Sequence, residues 1–386
     1  MPHLKVEPFD TERFNRVDSE HIKFRAVSNS GDEVLGVRFL GREFILELKK
    51  RGEYFLIKPD KITRPINVEL IKKVLSKIAE ELSLKILNSN LEESFKKRRI
   101  PSKYDKSVED FIGADFGFPK VSVEVGFGSG RHLLHQANRN PDTLFIGIEI
   151  HTPSALQVLK QIELQNIDNI WIVNYDARLL LEILPSNLLE SIYVHFPVPW
   201  DKKPHRRVIN HLFLKEVIRV LKVDGELEIK TDSQNYYLYS LKMFDLFRVL
   251  DFRVQKNVDL EIISKYEARW RREGRDIYTL TLRNSENSPP KKRFCQFDFE
   301  NVECKGIYVE PRKDVFKRYF LNIEELFRLV GEDGKLLKVS FGSFDRPEHK
   351  YILISDSKVK YIPNIPVPTD HNCESHKKIK EILCQA

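Results

Sequence analysis

The sequence predicts an α/β protein built on a doubly wound parallel sheet. Three observations predict it. Between about 116 and 284, short apolar runs alternate with amphipathic helical patterns, as in sheets whose strands are joined by crossover helices. The first run, VSVEVG, leads straight into Gly126, Gly128 and Gly130. The second, LFIGIEI, carries the acid Glu149 about 20 residues further on, as nucleotide-binding sheets do.

Taken in order, the expected strands of this block are VSVEVG, LFIGIEI, IWIVNYD, SIYVHFP and GELEIKTD. The expected helices are GRHLLHQANRN, ending before Pro141, then PSALQVLKQIELQN, VINHLFLKEVIRVL and NYYLYSLKMFDLF. Pro153 opens the second of these, where its missing N–H does no harm. The block closes differently. FRVQKNVD and DIYTLTLRN read as two strands with no helix between them, a terminal antiparallel hairpin with a long basic loop.

Smaller α+β blocks flank this one. Residues 1–115 mix strand-like runs (EVLGVRFL, EFILELKK, EYFLIKP) with the amphipathic helix NVELIKKVLSKIAEELSLKIL. The basic stretch FKKRRIPSKYDK then reads as a linker or exposed arm. NSENSPPKKR is a linker by composition, and 291–386 returns to an α+β pattern with a short final helix. No repeat between the two flanking blocks stands out in the sequence.

The 386 residues suit two or three domains, and 41% hydrophobic residues suffice for packed cores. A net charge of +7 favours an anionic partner. Cys295, Cys304, Cys373 and Cys384 form no C-x-x-C pair, which argues against zinc; no metal is expected. They suggest no disulfide framework, so a reducing cytoplasm is expected. No apolar run reaches the ~20 residues of a membrane span, and the start lacks the pattern of a signal peptide.

The glycine spacing is G-x-G-x-G, not the G-x-G-x-x-G of dinucleotide sites. Glu124 lies just before it and would repel a pyrophosphate but attract an ammonium group. That favours S-adenosyl-L-methionine over a nicotinamide dinucleotide and speaks against an oxidoreductase. A tight turn without a ligand is the plain alternative. Glu149 suits the two hydroxyls of a ribose, and Asp176, in VNYDA, suits an adenine amino group. All three acids fall at the carboxyl edge of the expected sheet.

HFPVPWDKKPHRR follows the fourth strand. Trp200 offers a stacking face beside Lys202, Lys203, His205, Arg206 and Arg207. An aromatic platform next to clustered cations suits an unstacked nucleotide and its phosphates. The alternative is a rigid loop with a solvated basic face.

With EVGFGSG, FIGIEIH, NYDA, FPVPWDKKPHRR, KTDS and SKYEARW in this order, the sequence resembles the bacterial tRNA (guanine-N7-)-methyltransferases. The resemblance spans the middle block and implies a class I methyltransferase (Rossmann-like) fold, S-adenosyl-L-methionine as methyl donor, and tRNA as partner. The implied target is N7 of the variable-loop guanine. The long flanking blocks exceed the core of that family. The family usually has an aspartate between the two prolines, where this chain has Val198, and neighbouring Asp201 is the nearest substitute. The cofactor positions implied are Glu124, Glu149 and Asp176. The substrate positions are Lys202, Asp232, Ser264, Lys265, Tyr266 and Glu267.

The chemistry fits the residues. Guanine N7 carries an in-plane lone pair and needs no proton removed, so alignment matters more than a base. Asp232 and Glu267 suit the donors of the Watson–Crick edge, and Lys202 and Lys265 suit phosphate. Asp232 as a helix cap and Glu267 as a surface acid are the bland readings. Arg269, Arg271, Arg272 and Arg275 extend the positive surface. Another RNA or nucleobase methyltransferase, such as one acting on an adenine amino group, is the nearest rival. A non-catalytic RNA-binding scaffold has only Val198 in its favour.

Overall fold

The computed structural model describes the chain apart from residues 13, 15–18, 65–67, 92–101, 248–250, 259–264, 292–294, 301, 303–308, 356–357 and 386. Two compact units emerge: Met1–Arg98 with Phe294–Ala386, and Arg99–Arg293.

The chain opens with β1 (Leu4–Val6), β2 (Ile22–Ser28), β3 (Glu33–Phe39), β4 (Arg42–Arg51), β5 (Tyr54–Pro59), α1 (Val68–Glu81) and β6 (Ile86–Ser89). The second unit follows with β7 (Asp105–Lys106), β8 (Lys120–Val125), α2 (Arg131–Arg139), β9 (Thr143–Ile148), α3 (Thr152–Gln165), β10 (Ile170–Val173) and α4 (Ala177–Ile183). It continues with β11 (Leu189–His195), α5 (His211–Val220), β12 (Leu221–Thr231), α6 (Gln234–Phe244), β13 (Asp251–Lys256), α7 (Lys265–Arg272) and β14 (Tyr278–Arg283). The chain then returns to the first unit through β15 (Arg312–Val315), β16 (Phe320–Leu329), β17 (Gly334–Gly342), β18 (Glu348–Ser355), β19 (Lys358–Ile362) and α8 (Asp370–Gln385).

In the second unit the strand order is β13-β14-β12-β11-β8-β9-β10-β7. The strands from β7 to β12 run parallel, while β14 is antiparallel to both β12 and β13. Helices cover both faces of such a sheet, so its strands read as apolar runs. Val123, Ile146, Ile170, Ile192 and Leu227 are accordingly buried. Strand order reverses at β8, with β9 on one side and β11 on the other. Open α/β sheets bind ligands beyond the carboxyl ends of their strands at such a point.

Three expectations need correction here. The loop between β13 and β14 contains α7, supported by i,i+4 pairs Glu267–Arg271 and Arg269–Glu273. The end of the basic stretch is no linker: Tyr104 is buried, and β7 adds a parallel strand beside β10. A further helix, α4, follows Asp176, whose carboxylate caps it by accepting from the Arg178 N–H.

In the first unit the flanking stretches, treated separately in the sequence, share one antiparallel sheet. Its order is β19-β18-β17-β16-β2-β3-β4-β5-β1-β6, with β15 beside β16. The eight strands β16–β19 and β2–β5 mirror one another about the β2–β16 seam, and each four-strand meander is followed by a helix. At the seam Ala26 pairs with Leu329, Val27 with Arg328 and Ser28 with Phe327. Phe-Arg-x-Val recurs as Phe24–Val27 and Phe327–Val330. Ala26 and Leu329 hold the same place in that motif, so a local twofold relation centres on their pairing. The repeat escaped the sequence reading because its shared motif is so short. Helix α1 packs on Leu35, Leu46 and Ile57, and α8 on Leu321, Leu337 and Ile352. The opposite face carries a third cluster including Ala26, Ile45, Phe327, Leu329 and Tyr351.

Helix α1 also ends earlier than its pattern suggested, since Ile86–Ser89 pairs as β6. Contrary to the cysteine reading, Cys295 and Cys373 are joined by a disulfide across 78 residues of sequence, a separation that spacing could not reveal. Cys304 lies outside the described residues. Among the described residues no helix is long and apolar enough to cross a membrane.

Candidate active site

Beyond β8 the backbone turns through left-handed positions at Gly126, Gly128 and Gly130. A side chain at Gly130 would be crowded as well as strained, because a Cβ there would lie 2.5 Å from Val158 Cγ2. The loop is held from the end of β9. Glu149 is buried, and its Oε2 accepts the Gly128 N–H at 3.0 Å. Its Oε1 accepts the His151 N–H at 2.8 Å.

Glu124 is set differently. It lies within β8 abreast of Tyr193 on β11, which is in turn abreast of Glu228 on β12. Its carboxylate meets His132 Nδ1 of α2 at 2.9 Å, and His132 packs edge-on to His195 with ring centroids 4.6 Å apart. His195 Nε2 donates to Glu228 at 2.8 Å, and Lys230 pairs with the same carboxylate at 3.1 Å. Burial alone would raise the Glu228 carboxyl, but the His195 hydrogen bond and the nearby positive charge bring it down to about 2. Burial pushes His195 down and favours its neutral form. Ligand atoms of Glu124, His132 and His195 come within 4.8 Å of one another, which resembles a metal set. Each already has a partner within the array, so the donors satisfy one another.

Asp176, beyond β10, caps α4 and also pairs with the Arg178 guanidinium at 2.7 Å. Past β11, Phe196 and Trp200 are non-glycine residues with positive φ, at 50° and 45°. Such backbone persists only where its surroundings impose it, and it clusters at functional sites. Between them Val198 is 60% exposed. Arg206 stacks over the Trp200 ring at 5.1 Å. Arg207 behaves otherwise and corrects the reading of five equivalent cations. Its buried guanidinium donates to the Pro199 carbonyl at 2.7 Å and to Asp201 at 3.2 Å, and lies 4.3 Å over Tyr239. It braces the loop from within, whereas Lys202, Lys203, His205 and Arg206 are exposed.

After β12, Asp232 accepts from Arg275 at 2.8 Å. It does not cap α6; Ser233 does, through the Tyr236 N–H. Arg275 lies 4.0 Å over Trp270, with Arg269 4.8 Å from the same ring. Glu267 is no surface acid: it is buried and held by Arg271 at 2.8 Å. Ser264 lies outside the described residues, as do the side chains of Lys265 and Tyr266 at the start of α7.

Residues 119–280 match a family model described as "Putative methyltransferase". The tRNA (guanine-N(7)-)-methyltransferase of Wolinella succinogenes is 41% identical over 99% of this chain and 100% of its own. The chain belongs to the tRNA (guanine-N7-)-methyltransferase family. The Helicobacter pylori member is 35% identical over 100% of this chain and 99% of its own, so both flanking stretches are matched as well. A solved antibiotic-related methyltransferase is 21% identical, covering 50% of this chain and 97% of its own at a TM-score of 0.36.

In this methyltransferase the glycine loop, Glu149, the Val198 loop and Asp232 all follow the carboxyl ends of β8, β9, β11 and β12. Asp176 lies beyond β10 on the same edge. The buried array around His132 and His195 was missed. Its signal was present: Tyr193 and His195, then Glu228 and Lys230, alternate with apolar residues in strands that should be buried on both faces.

Proposed function

We propose that this methyltransferase transfers a methyl group from S-adenosyl-L-methionine to N7 of a guanine in tRNA, the variable-loop guanine. One observation carries the reading. The glycine loop with Glu149 and the cationic loop with Trp200 emerge from one edge of one sheet, beside the point where strand order reverses. On this reading the donor site and the nucleic-acid surface are neighbours.

Glu149 is assigned to the ribose hydroxyls of the donor, Asp176 to its adenine amino group and Glu124 to its ammonium. Asp176 is held by Arg178 and the buried Glu124 by His132, so each must exchange or share that partner to serve there. Backbone at Gly126, Gly128 and Gly130 allows close approach. When bound, S-adenosyl-L-methionine supplies a methyl group on a sulfonium. The chain has to hold guanine in line with it and exclude water. Asp232 and Glu267 are assigned to the Watson–Crick edge. Each must give up an arginine to serve there, Arg275 and Arg271 respectively. Exchange of these arginines onto phosphate would couple RNA binding to release of the acids. Lys202, Lys265 and Arg206 are assigned to phosphate, Trp200 to stacking, and Ser264 and Tyr266 to the substrate segment. Asp201 already serves Arg207, so its role is to position the loop. A proton acceptor is not required at Val198, because N7 attacks through its own lone pair.

Incubation with radiolabelled S-adenosyl-L-methionine and bulk tRNA tests this. Label in tRNA is expected; label retained only in the donor would reject the reading.

A further inference from the structure

We propose that the β15–β16 hairpin of the first unit is a second RNA contact, placed against the phosphate backbone of tRNA. The proposal rests on the substrate reading above. Within Arg312–Phe320 stand four cations, Arg312, Lys313, Lys317 and Arg318, and one acid, Asp314. Arg312 takes up Asp314 at 3.0 Å. Lys313, Lys317 and Arg318 are exposed, and among the described residues none has an ion-pair or side-chain hydrogen-bond partner. Three cations are therefore left to solvent on one short hairpin.

Aromatic residues are interleaved with them. Phe316 and Tyr319 stack across the turn at 4.4 Å. Phe320 stacks on Phe344 at 5.7 Å, and Phe344 is 56% exposed. Register decides which groups share a face. Lys313 pairs with Asn322 and Val315 with Phe320, so these lie away from α8. Arg312 and Asp314 pair with Ile323 and Leu321, which pack beneath α8. The acids that bear on Tyr319, Glu374 and Glu381, belong to α8, and Lys378 bonds Glu381 at 2.9 Å. Exposed cations beside stackable rings are what a single-stranded or looped RNA requires.

Lysines on a short edge strand also discourage edge-to-edge association. That role does not need partly exposed aromatic rings beside the cations, and it predicts a different result. The test uses the full chain carrying Lys313→Gln, Lys317→Gln and Arg318→Gln, with tRNA binding measured by anisotropy across a salt series. Each lost phosphate contact lowers the logarithmic salt slope by about 0.7–0.9. A slope reduced by roughly 2–3, and an affinity loss greater by on the order of tenfold or more at about 50 mM than at about 200 mM salt, are expected. Binding of S-adenosyl-L-methionine and the single-turnover rate at saturating tRNA should stay as in the parent. Phe316→Ala should weaken tRNA binding while leaving the slope alone. Lys317→Gln by itself, at the turn, guards against misfolding of the triple variant and should lower the slope by about 0.7–0.9. An unchanged slope in folded variants overturns the proposal, and self-association with an unchanged slope assigns the lysines to edge protection instead. Failure of the parent to methylate tRNA would count against the reaction, not against the hairpin, which is read from the slope.

Discussion

Glu149 and Gly128 are joined by a hydrogen bond of 3.0 Å between the end of β9 and the glycine loop. The acid expected to receive the donor's ribose also sets the loop proposed to receive its methionine end. Glu149→Ala should therefore weaken S-adenosyl-L-methionine binding by about 1.5–3 kcal/mol, the range for charge-assisted hydrogen bonds. Calorimetry on the folded variant checks this, and an unaltered affinity would remove Glu149 from the cofactor site.

Gly130→Ala should destabilise the second unit through two separable effects. Positive φ costs an alanine roughly 1–2 kcal/mol, and the new methyl meets Val158. Measured against Val158→Ala alone, which carries its own cavity cost, Gly130→Ala should lose the clash and keep the backbone cost. No loss from Gly130→Ala in the Val158→Ala background, read from denaturant melts, would show that the φ value is not the constraint.

The buried array gives a pH dependence. Glu228 falls from 4.5 to about 2, so its contribution is present above 4.5 and is lost as pH drops toward 2. That interval corresponds to about 3 kcal/mol. His195 is held below its ordinary 6.5, so its neutral form also favours the fold above that pH and loses the advantage below it. The stability difference between parent and Glu228→Gln should be largest at neutral pH and shrink below pH 4.5. Urea unfolding at pH 7 and near pH 3 measures it; a difference that does not vary with pH would contradict the assignment.

The parallel core was legible because its strands are buried on both faces, which writes them as apolar runs such as LFIGIEI. The glycine loop was legible because a close approach at Gly130 crowds anything larger. Other features depend on distant contacts. The Ala26–Leu329 pairing joins strands from opposite ends of the chain, and neither strand alone names its partner. Cys295 and Cys373 meet only because α8 returns over that sheet. Arg206 and Arg207 are neighbours in sequence, yet one stacks outward on Trp200 and the other points inward to Tyr239. Composition treats them alike; only the loop's path separates them.

That separation is testable. Replacing Lys202, Lys203 and Arg206 with Ala should flatten the salt dependence of tRNA binding, by about 0.7–0.9 per lost phosphate contact. Arg207→Ala should instead lower the melting temperature, since it leaves the Pro199 carbonyl without its donor and strips a cation from Tyr239. A flattened slope from Arg207→Ala in a fully stable protein would return it to the RNA surface.

Alignment of guanine gives the last contrast. Val198→Ala should change the methyl-transfer rate little, as N7 needs no base. Asp232→Ala and Glu267→Ala should each slow it far more, because lost orientation enters the rate directly. Single-turnover rates decide among them. Near-parental rates for both acids would sink this placement of the base, and a larger loss from Asp201→Ala than from Arg207→Ala would move the decisive carboxylate to the Val198 loop.

This methyltransferase methylates guanine N7 in tRNA. The most direct test is nucleoside mapping of purified tRNA after reaction with the enzyme and S-adenosyl-L-methionine. A single 7-methylguanosine in the variable loop is the predicted product. Methyl groups on an adenine, or on no nucleotide at all, would contradict it.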